Sequence, residues 1–183
     1  TGTDSLTNQP LVITGEFPIQ GKAKVISSVG TLTVFGSGKD KLKKTVTSNQ
    51  SNVAMLSMNI EASSVEALEI EKVYVHSGGT GNEKSAILPG GVKMVRDANK
   101  NGMYDYGEEV VGLYNYHYSE DNGVITFNTP LEIISASEST DWVLVYNFSG
   151  SAKDGDTFWA AVDTATGSVL TRCSGAIVVR LRK

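Results

Sequence analysis

Two runs rich in β-branched and aromatic residues, Val92-Lys93-Met94-Val95 and Val110-Val111-Gly112-Leu113-Tyr114-Asn115-Tyr116-His117-Tyr118, bracket the segment Asp97-Ala98-Asn99-Lys100-Asn101-Gly102-Met103-Tyr104-Asp105-Tyr106-Gly107-Glu108. Runs of that composition favour extended backbone, and the second alternates as a half-buried strand does. Between them, oxygen-bearing side chains recur at alternate positions with a glycine at the sixth, the spacing of an EF-hand-type calcium loop. Such a loop ordinarily joins two helices. Here the flanks are wrong for helices and the loop must join two strands, so a structural clamp is expected rather than an opening sensor.

The chemistry accounts for the spacing. A hard, strongly hydrated divalent ion takes six to eight oxygens, so a short loop must fold back and present them from alternating positions. Asp97, Asn99 and Asn101 supply side-chain oxygens at loop positions one, three and five. Gly102 permits the sharp turn, the Met103 carbonyl serves position seven, Asp105 serves position nine, and Glu108 can bind through both oxygens at position twelve. The expected cofactor is Ca2+. Three carboxylates then face a divalent charge, so removing the ion should loosen the loop by mutual repulsion. A solvated turn rich in Asp, Asn and Gly has a similar composition, but nothing requires such a turn to fill every ligand position.

At 183 residues, 40% of them hydrophobic and 20% charged, the chain suits one all-β domain with a core of its own. A net charge of −4 argues against a nucleic-acid partner, which would call for a basic stripe. Cys173 is the only cysteine, so no intrachain disulfide can form, and a small buried hydrophobe on a C-terminal strand is its expected role. No apolar run approaches the roughly 20 residues that cross a bilayer, and no membrane insertion is expected. Calcium loops of low affinity belong where calcium is abundant, which points to an extracellular chain whose leader was removed ahead of Thr1-Gly2-Thr3-Asp4.

Along the chain, residues 1 to 10 are polar, and strands separated by Gly, Ser, Asn and Asp are predicted at Leu11 to Thr14, Ala23 to Val29, Thr31 to Phe35, Leu42 to Thr47 and Val53 to Ile60. Glu61 to Glu71 tolerates a helix, but Leu68 and Ile70 alternate with Glu69 and Glu71, which favours a strand. His76 to Gly91, with Gly78, Gly79, Gly81, Gly90 and Pro89, reads as the longest irregular connection. Further strands are predicted at Tyr114 to Tyr118, Val124 to Asn128, Leu131 to Ile134, Trp142 to Phe148, Thr157 to Val162, Ser168 to Arg172 and Ala176 to Leu181, with Asp121-Asn122-Gly123 as a hairpin signal. So many short strands imply a β-sandwich or jelly roll.

Catalytic sets are hard to assemble from these residues. His76 and His117 lie in no recognisable motif, and a surface or sheet-face histidine is the ordinary reading of His117. Glu66, Glu69 and Glu71 could contain a glycosidase acid and base, but a charged solvent face on a strand is the default. Gly78-Gly79-Thr80-Gly81 lacks the Lys-Ser/Thr ending of a phosphate loop. Asp154-Gly155-Asp156 reads as a β-turn before Thr157 as readily as a second ion site. Asn49-Gln50-Ser51 and Asn147-Phe148-Ser149 match the N-glycan acceptor pattern. Trp142 and Trp159 sit in apolar runs, which predicts core rather than an exposed platform. No enzymatic activity is expected.

The run GGVKMVRDANKNGMYDYGEEVVGLYNYHY, the following SEDNGVITFNTPLEI and the later DWVLVYNFSGSAKDGDTF are similar to a calcium-loop β-domain of secreted microbial proteins. With the opening NQPLVITGEFPIQGKAKVI, the full length resembles the cannula-forming proteins of the archaeon Pyrodictium. That resemblance implies an extracellular β-sandwich subunit that polymerises into hollow tubules when calcium is present. It also implies assembly like that of TasA-like and camelysin-like filament proteins, in which a strand of one subunit completes a sheet of the next. The partner is then a second copy of the chain. Residues 1–15 would form an N-terminal extension carrying the donor strand, within Leu6 to Gly15, and residues 16–183 a single domain. A monomeric calcium-stabilised β-domain that binds a carbohydrate or a surface is the alternative, and it would expose aromatic side chains on a preformed face.

Overall fold

The computed structural model of the chain describes residues 30–36, 45–128, 132–162 and 177–181. Ten strands and one short helix occupy them: β1 (Leu32–Gly36), β2 (Val53–Ala62), β3 (Leu68–Gly79), α1 (Glu83–Ala86), β4 (Ile87–Arg96), β5 (Val110–Tyr116), β6 (Val124–Phe127), β7 (Glu132–Ile134), β8 (Ser139–Phe148), β9 (Phe158–Val162) and β10 (Ile177–Leu181). The fold is all-β and every pairing is antiparallel. The expected strands at Leu11 to Thr14, Ala23 to Val29 and Ser168 to Arg172, the donor segment Leu6 to Gly15 and Cys173 lie outside the described residues. No helix among the described residues is long and apolar enough to cross a membrane.

The first sheet has the order β1-β2-β8-β4-β5. Its central strand β8 is buried from Thr140 to Tyr146 without interruption, which requires cover on both faces. Trp142, Leu144, Tyr146 and Phe148 join Met58, Ile60, Val92 and Met94 in the main core, while Val143 and Val145 turn to the opposite face with Val95. The second sheet is organised on β3. Its first half pairs with β10 on one edge and β7 on the other, and its second half pairs with β9 and β6. Leu68, Ile70, Val73 and Val75 of β3 complete the same core, so the inner faces of the two sheets share one apolar cluster.

Several expectations are corrected. The stretch from His76 to Gly91 is not an irregular connection: β3 continues to Gly79, α1 follows, and β4 begins at Ile87. The glycines serve packing instead. A Cβ on Gly78 would overlap the Trp159 indole, and one on Gly81 would overlap the Phe158 ring, so both aromatics of β9 lie against glycine backbone. Trp159 is consequently 53% exposed, against the core position its apolar run suggested, whereas Trp142 is fully buried. Asp121-Asn122-Gly123 does turn, with Asn122 at φ 51. Yet the turn joins β5 of one sheet to β6 of the other and makes no hairpin between them. Of Glu61 to Glu71, only the two ends are strand, in β2 and β3. Thr45 to Thr47, the described part of Leu42 to Thr47, carries no strand and enters a turn closed by Gln50 N–H to Thr47 O at 3.1 Å.

Candidate metal centre

β4 and β5 form a ladder in which Val95 faces Val110 and Met94 faces Val111, and the predicted ligand loop is the connection between them. The Arg96 N–H donates to Glu109 O at 2.8 Å and closes the base of the loop. The Asp97 N–H donates to Asp141 O of β8, also at 2.8 Å, and so carries the β4–β8 ladder to the first ligand position. Three residues of the loop have positive φ, Lys100 at 57, Gly102 at 76 and Gly107 at 96. The left-handed region costs a non-glycine residue about 1–2 kcal/mol. At Lys100 that cost is offset locally by an N–H to Asp97 O bond of 3.3 Å and by Nζ lying 3.2 Å from Asp141 Oδ2.

The side chains predicted as ligands converge. Asp97 is buried, and its two oxygens accept from the N–H groups of Asn101 (3.0 Å) and Gly102 (2.6 Å). Asn99 Oδ1 also accepts from Asn101 N–H at 3.1 Å, and Asn101 Oδ1 accepts from Met103 N–H at 2.7 Å. The amide nitrogens of Asn99 and Asn101 donate to one oxygen, Asp105 Oδ2, at 2.7 and 2.6 Å. Glu108 Oε2 accepts from Asp105 N–H at 2.9 Å, and Glu108 Oε1 is buried with no hydrogen-bond partner. The Met103 side chain is half exposed; its expected contribution is through the carbonyl only.

No group of three His, Cys, Asp or Glu side chains able to hold a metal occurs among the described residues. In the loop the carboxylates of Asp97, Asp105 and Glu108 are instead interleaved with the neutral amides of Asn99 and Asn101 and with backbone N–H groups. This arrangement still fits a hard cation. A buried carboxylate oxygen without a donor is costly, on the order of 1–3 kcal/mol, and Glu108 Oε1 at position twelve is such an oxygen. The amide groups of Asn99 and Asn101 present oxygen or nitrogen by a half-turn of the side chain, so the pair can donate to Asp105 or join it as ligands.

Residues other than the predicted ligands hold the loop to the sheet. Asp141, 8% exposed, accepts from Asn59 Nδ2 at 3.1 Å as well as meeting Lys100. Arg96 reaches inward to Glu132 Oε1 at 2.8 Å, and Glu132 Oε2 accepts from Trp142 Nε1 at 2.7 Å and Thr140 Oγ1 at 3.3 Å. That bridge joins the loop's first strand to β7 of the second sheet. On the other face, the Tyr104 ring receives Lys93 Nζ 3.4 Å from its centroid. Sequence reasoning missed these supports. A charge opening the apolar run at Asp141-Trp142 and an aromatic set among the ligands at Tyr104 were their only signals.

The other candidates are dispersed. His117 lies exposed beyond the end of β5, and His76 faces Val124 and Ala161 on β3. Glu69 is buried at 7% exposure rather than on a solvent face, while Glu66 accepts from Gly30 N–H at 2.7 Å. At Asp154-Gly155-Asp156 the turn reading applies: Asp156 N–H donates to Lys153 O at 3.1 Å, and Lys153 N–H donates back to Asp156 Oδ2 at 3.0 Å. Asn49 is exposed in a turn at φ 63, whereas the Asn147 side chain is half-buried and accepts from Asn52 N–H at 2.7 Å. Comparison with protein-family models, with curated proteins and with solved structures gives no match.

Proposed function

We propose that this chain is a calcium-dependent, self-assembling structural subunit of an extracellular tubule or filament, built as a β-sandwich clamped by the loop from Asp97 to Glu108. The observation that carries the reading is the convergence of Asp97, Asn99, Asn101, Asp105 and Glu108 in one strand connection, with Glu108 Oε1 buried and without a donor. Those side chains and the Met103 carbonyl would hold the ion, which would supply the positive charge that three carboxylates lack. β5, the strand after the loop, pairs with β4 alone and is an end strand of the first sheet among the described strands. An edge strand of this kind is a template for another chain, and ordering the loop would order that template. Donation by Leu6 to Gly15 of a second copy is the proposed contact, and a head-to-tail contact that does not close produces a helical array. The test is to delete residues 1–12 and add calcium to the purified chain. The truncated chain should stay folded and bind calcium but form no long polymers by negative-stain microscopy, and tubules from it would move the donor elsewhere.

A monomeric carbohydrate- or surface-binding module remains the second reading, supported by the exposed Trp159 indole lying over Gly78. Retention on an insoluble polysaccharide that Trp159→Ala abolishes would favour it over assembly.

A further inference from the structure

We infer that the ligand loop is also a calcium-controlled cover, in which Tyr104 closes an apolar patch on the outer face of the first sheet. The inference rests on the calcium reading above. Val95, Val143 and Val145 have no exposed surface although they face away from the shared core, and they form a separate cluster. Register makes the patch continuous: Val95 lies opposite Val143, and Val145 lies between Lys93 of β4 and Ala54 of β2. A sheet face with three adjacent valines must be covered by something, because single exposed apolar residues are ordinary and contiguous patches are adhesive. Ala54, Val110 and Tyr104 pack against it. Ala54 and Val110 are strand residues of the same sheet. Among the described residues packed on it, Tyr104 alone comes from the loop, between the Met103 carbonyl and Asp105.

The ring therefore takes its position from the backbone that carries the ligands. Met103 N–H is bonded to Asn101 Oδ1, and Asp105 N–H to Glu108 Oε2. Both bonds fix Tyr104 from either side. Beneath the ring, Lys93 Nζ also donates to Asn52 Oδ1 at 2.9 Å, and burial lowers the pKa of this lysine. When the ion leaves, repulsion among Asp97, Asp105 and Glu108 loosens these same bonds, and the ring goes with them. The calcium-bound chain thus keeps its outer face closed, and the calcium-free chain opens it.

The test pairs calcium calorimetry with fluorescence of an apolar-surface dye, on folded protein checked by far-ultraviolet circular dichroism. Wild-type chain should bind calcium and show severalfold higher dye emission in chelator than in calcium. Tyr104→Ala keeps every ligand oxygen but loses the Lys93 contact, so it should still bind calcium, less tightly, and show the high emission even at saturating calcium. Tyr104→Phe retains the ring and should behave as wild type. Calcium binding with unchanged dye emission in Tyr104→Ala overturns the cover and leaves the calcium reading intact. No calcium heat from wild type overturns both.

Discussion

Glu83 opens α1 with no exposed surface, one carboxylate oxygen accepting from Asn122 N–H at 2.9 Å and the other without a donor. Burial, together with the carboxyl of Asp121 beside it, raises its pKa above the ordinary carboxylate value; the N–H groups of Asn122 and Glu83 itself work in the opposite direction. The buried pair Tyr118 and Tyr146, joined through their hydroxyls at 2.5 Å, adds no positive charge: burial pushes Tyr118 up to about 12 and Tyr146 well above its usual value. A carboxyl with a raised folded pKa holds its proton more tightly in the folded state. Its stabilising contribution is complete below the unfolded pKa and is lost as pH rises through the raised folded value. Glu83→Gln keeps the acceptor for Asn122 and adds a donor for Asp121. It should match wild type in thermal melts at acidic pH and melt higher once the pH exceeds the raised Glu83 value. An equal difference at all pH values would contradict this account. At the proposed ligand loop, Glu108→Ala should weaken calcium binding strongly in calorimetry and change the calcium-free melting temperature little, because it deletes an unpartnered buried oxygen together with the acceptor of the Asp105 N–H.

At the scale of elements, β3 and β4 carry the connections on which the site depends. The Arg96–Glu132–Trp142 bridge ties the end of β4 to β7 and β8, with the Glu132 side chain only 9% exposed. Glu132→Ala would strand the buried Trp142 N–H, while Arg96 keeps Glu109 at 3.2 Å, so a loss of about 1–3 kcal/mol is expected in denaturant unfolding. Trp142 should also report calcium binding through its fluorescence in a Trp159→Phe background, since its partner Glu132 holds the residue next to Asp97. At the far end of β3 two adjacent glycines should behave differently. Gly78→Ala meets the exposed Trp159 ring, which can swing aside, and Trp159→Ala should largely relieve the defect. Gly79→Ala meets the Thr157 carbonyl of the backbone and sits at φ 145, so no second substitution should rescue it. Equal rescue of both by Trp159→Ala, measured as unfolding midpoints, would overturn the distinction.

For the whole molecule, the two sheets share a single core, and the loop is attached to both: through Asp141 and Lys100 to the first, through Arg96 and Glu132 to the second. Ligation at the loop should therefore stabilise the domain as a unit. An ion at about one hundred times its dissociation constant adds roughly 2.7 kcal/mol, or about 5–10 °C in melting temperature for a chain of this size. Melting temperatures identical in calcium and in chelator would remove the clamp. Assembly should show the same dependence, because the chain's net charge of −4 opposes association until acidic groups are neutralised.

What the sequence determined by itself was local. The strand character on either side of Asp97 to Glu108, the strand and buried Trp142 of β8 and the turn at Asp121-Asn122-Gly123 were legible because backbone preference and alternation act over a few neighbouring residues. The tertiary structure decided the partners. It placed β5 and β6 in different sheets across a turn that signals a hairpin, and gave β3 its four neighbours. It also set Trp159 outward over Gly78 and carried Tyr104 onto the valines of the outer face. An apolar run states that a side chain will be buried or paired, but not against what. That choice belongs to contacts between residues far apart in the chain, summed over two whole sheets, and no local signal encodes it.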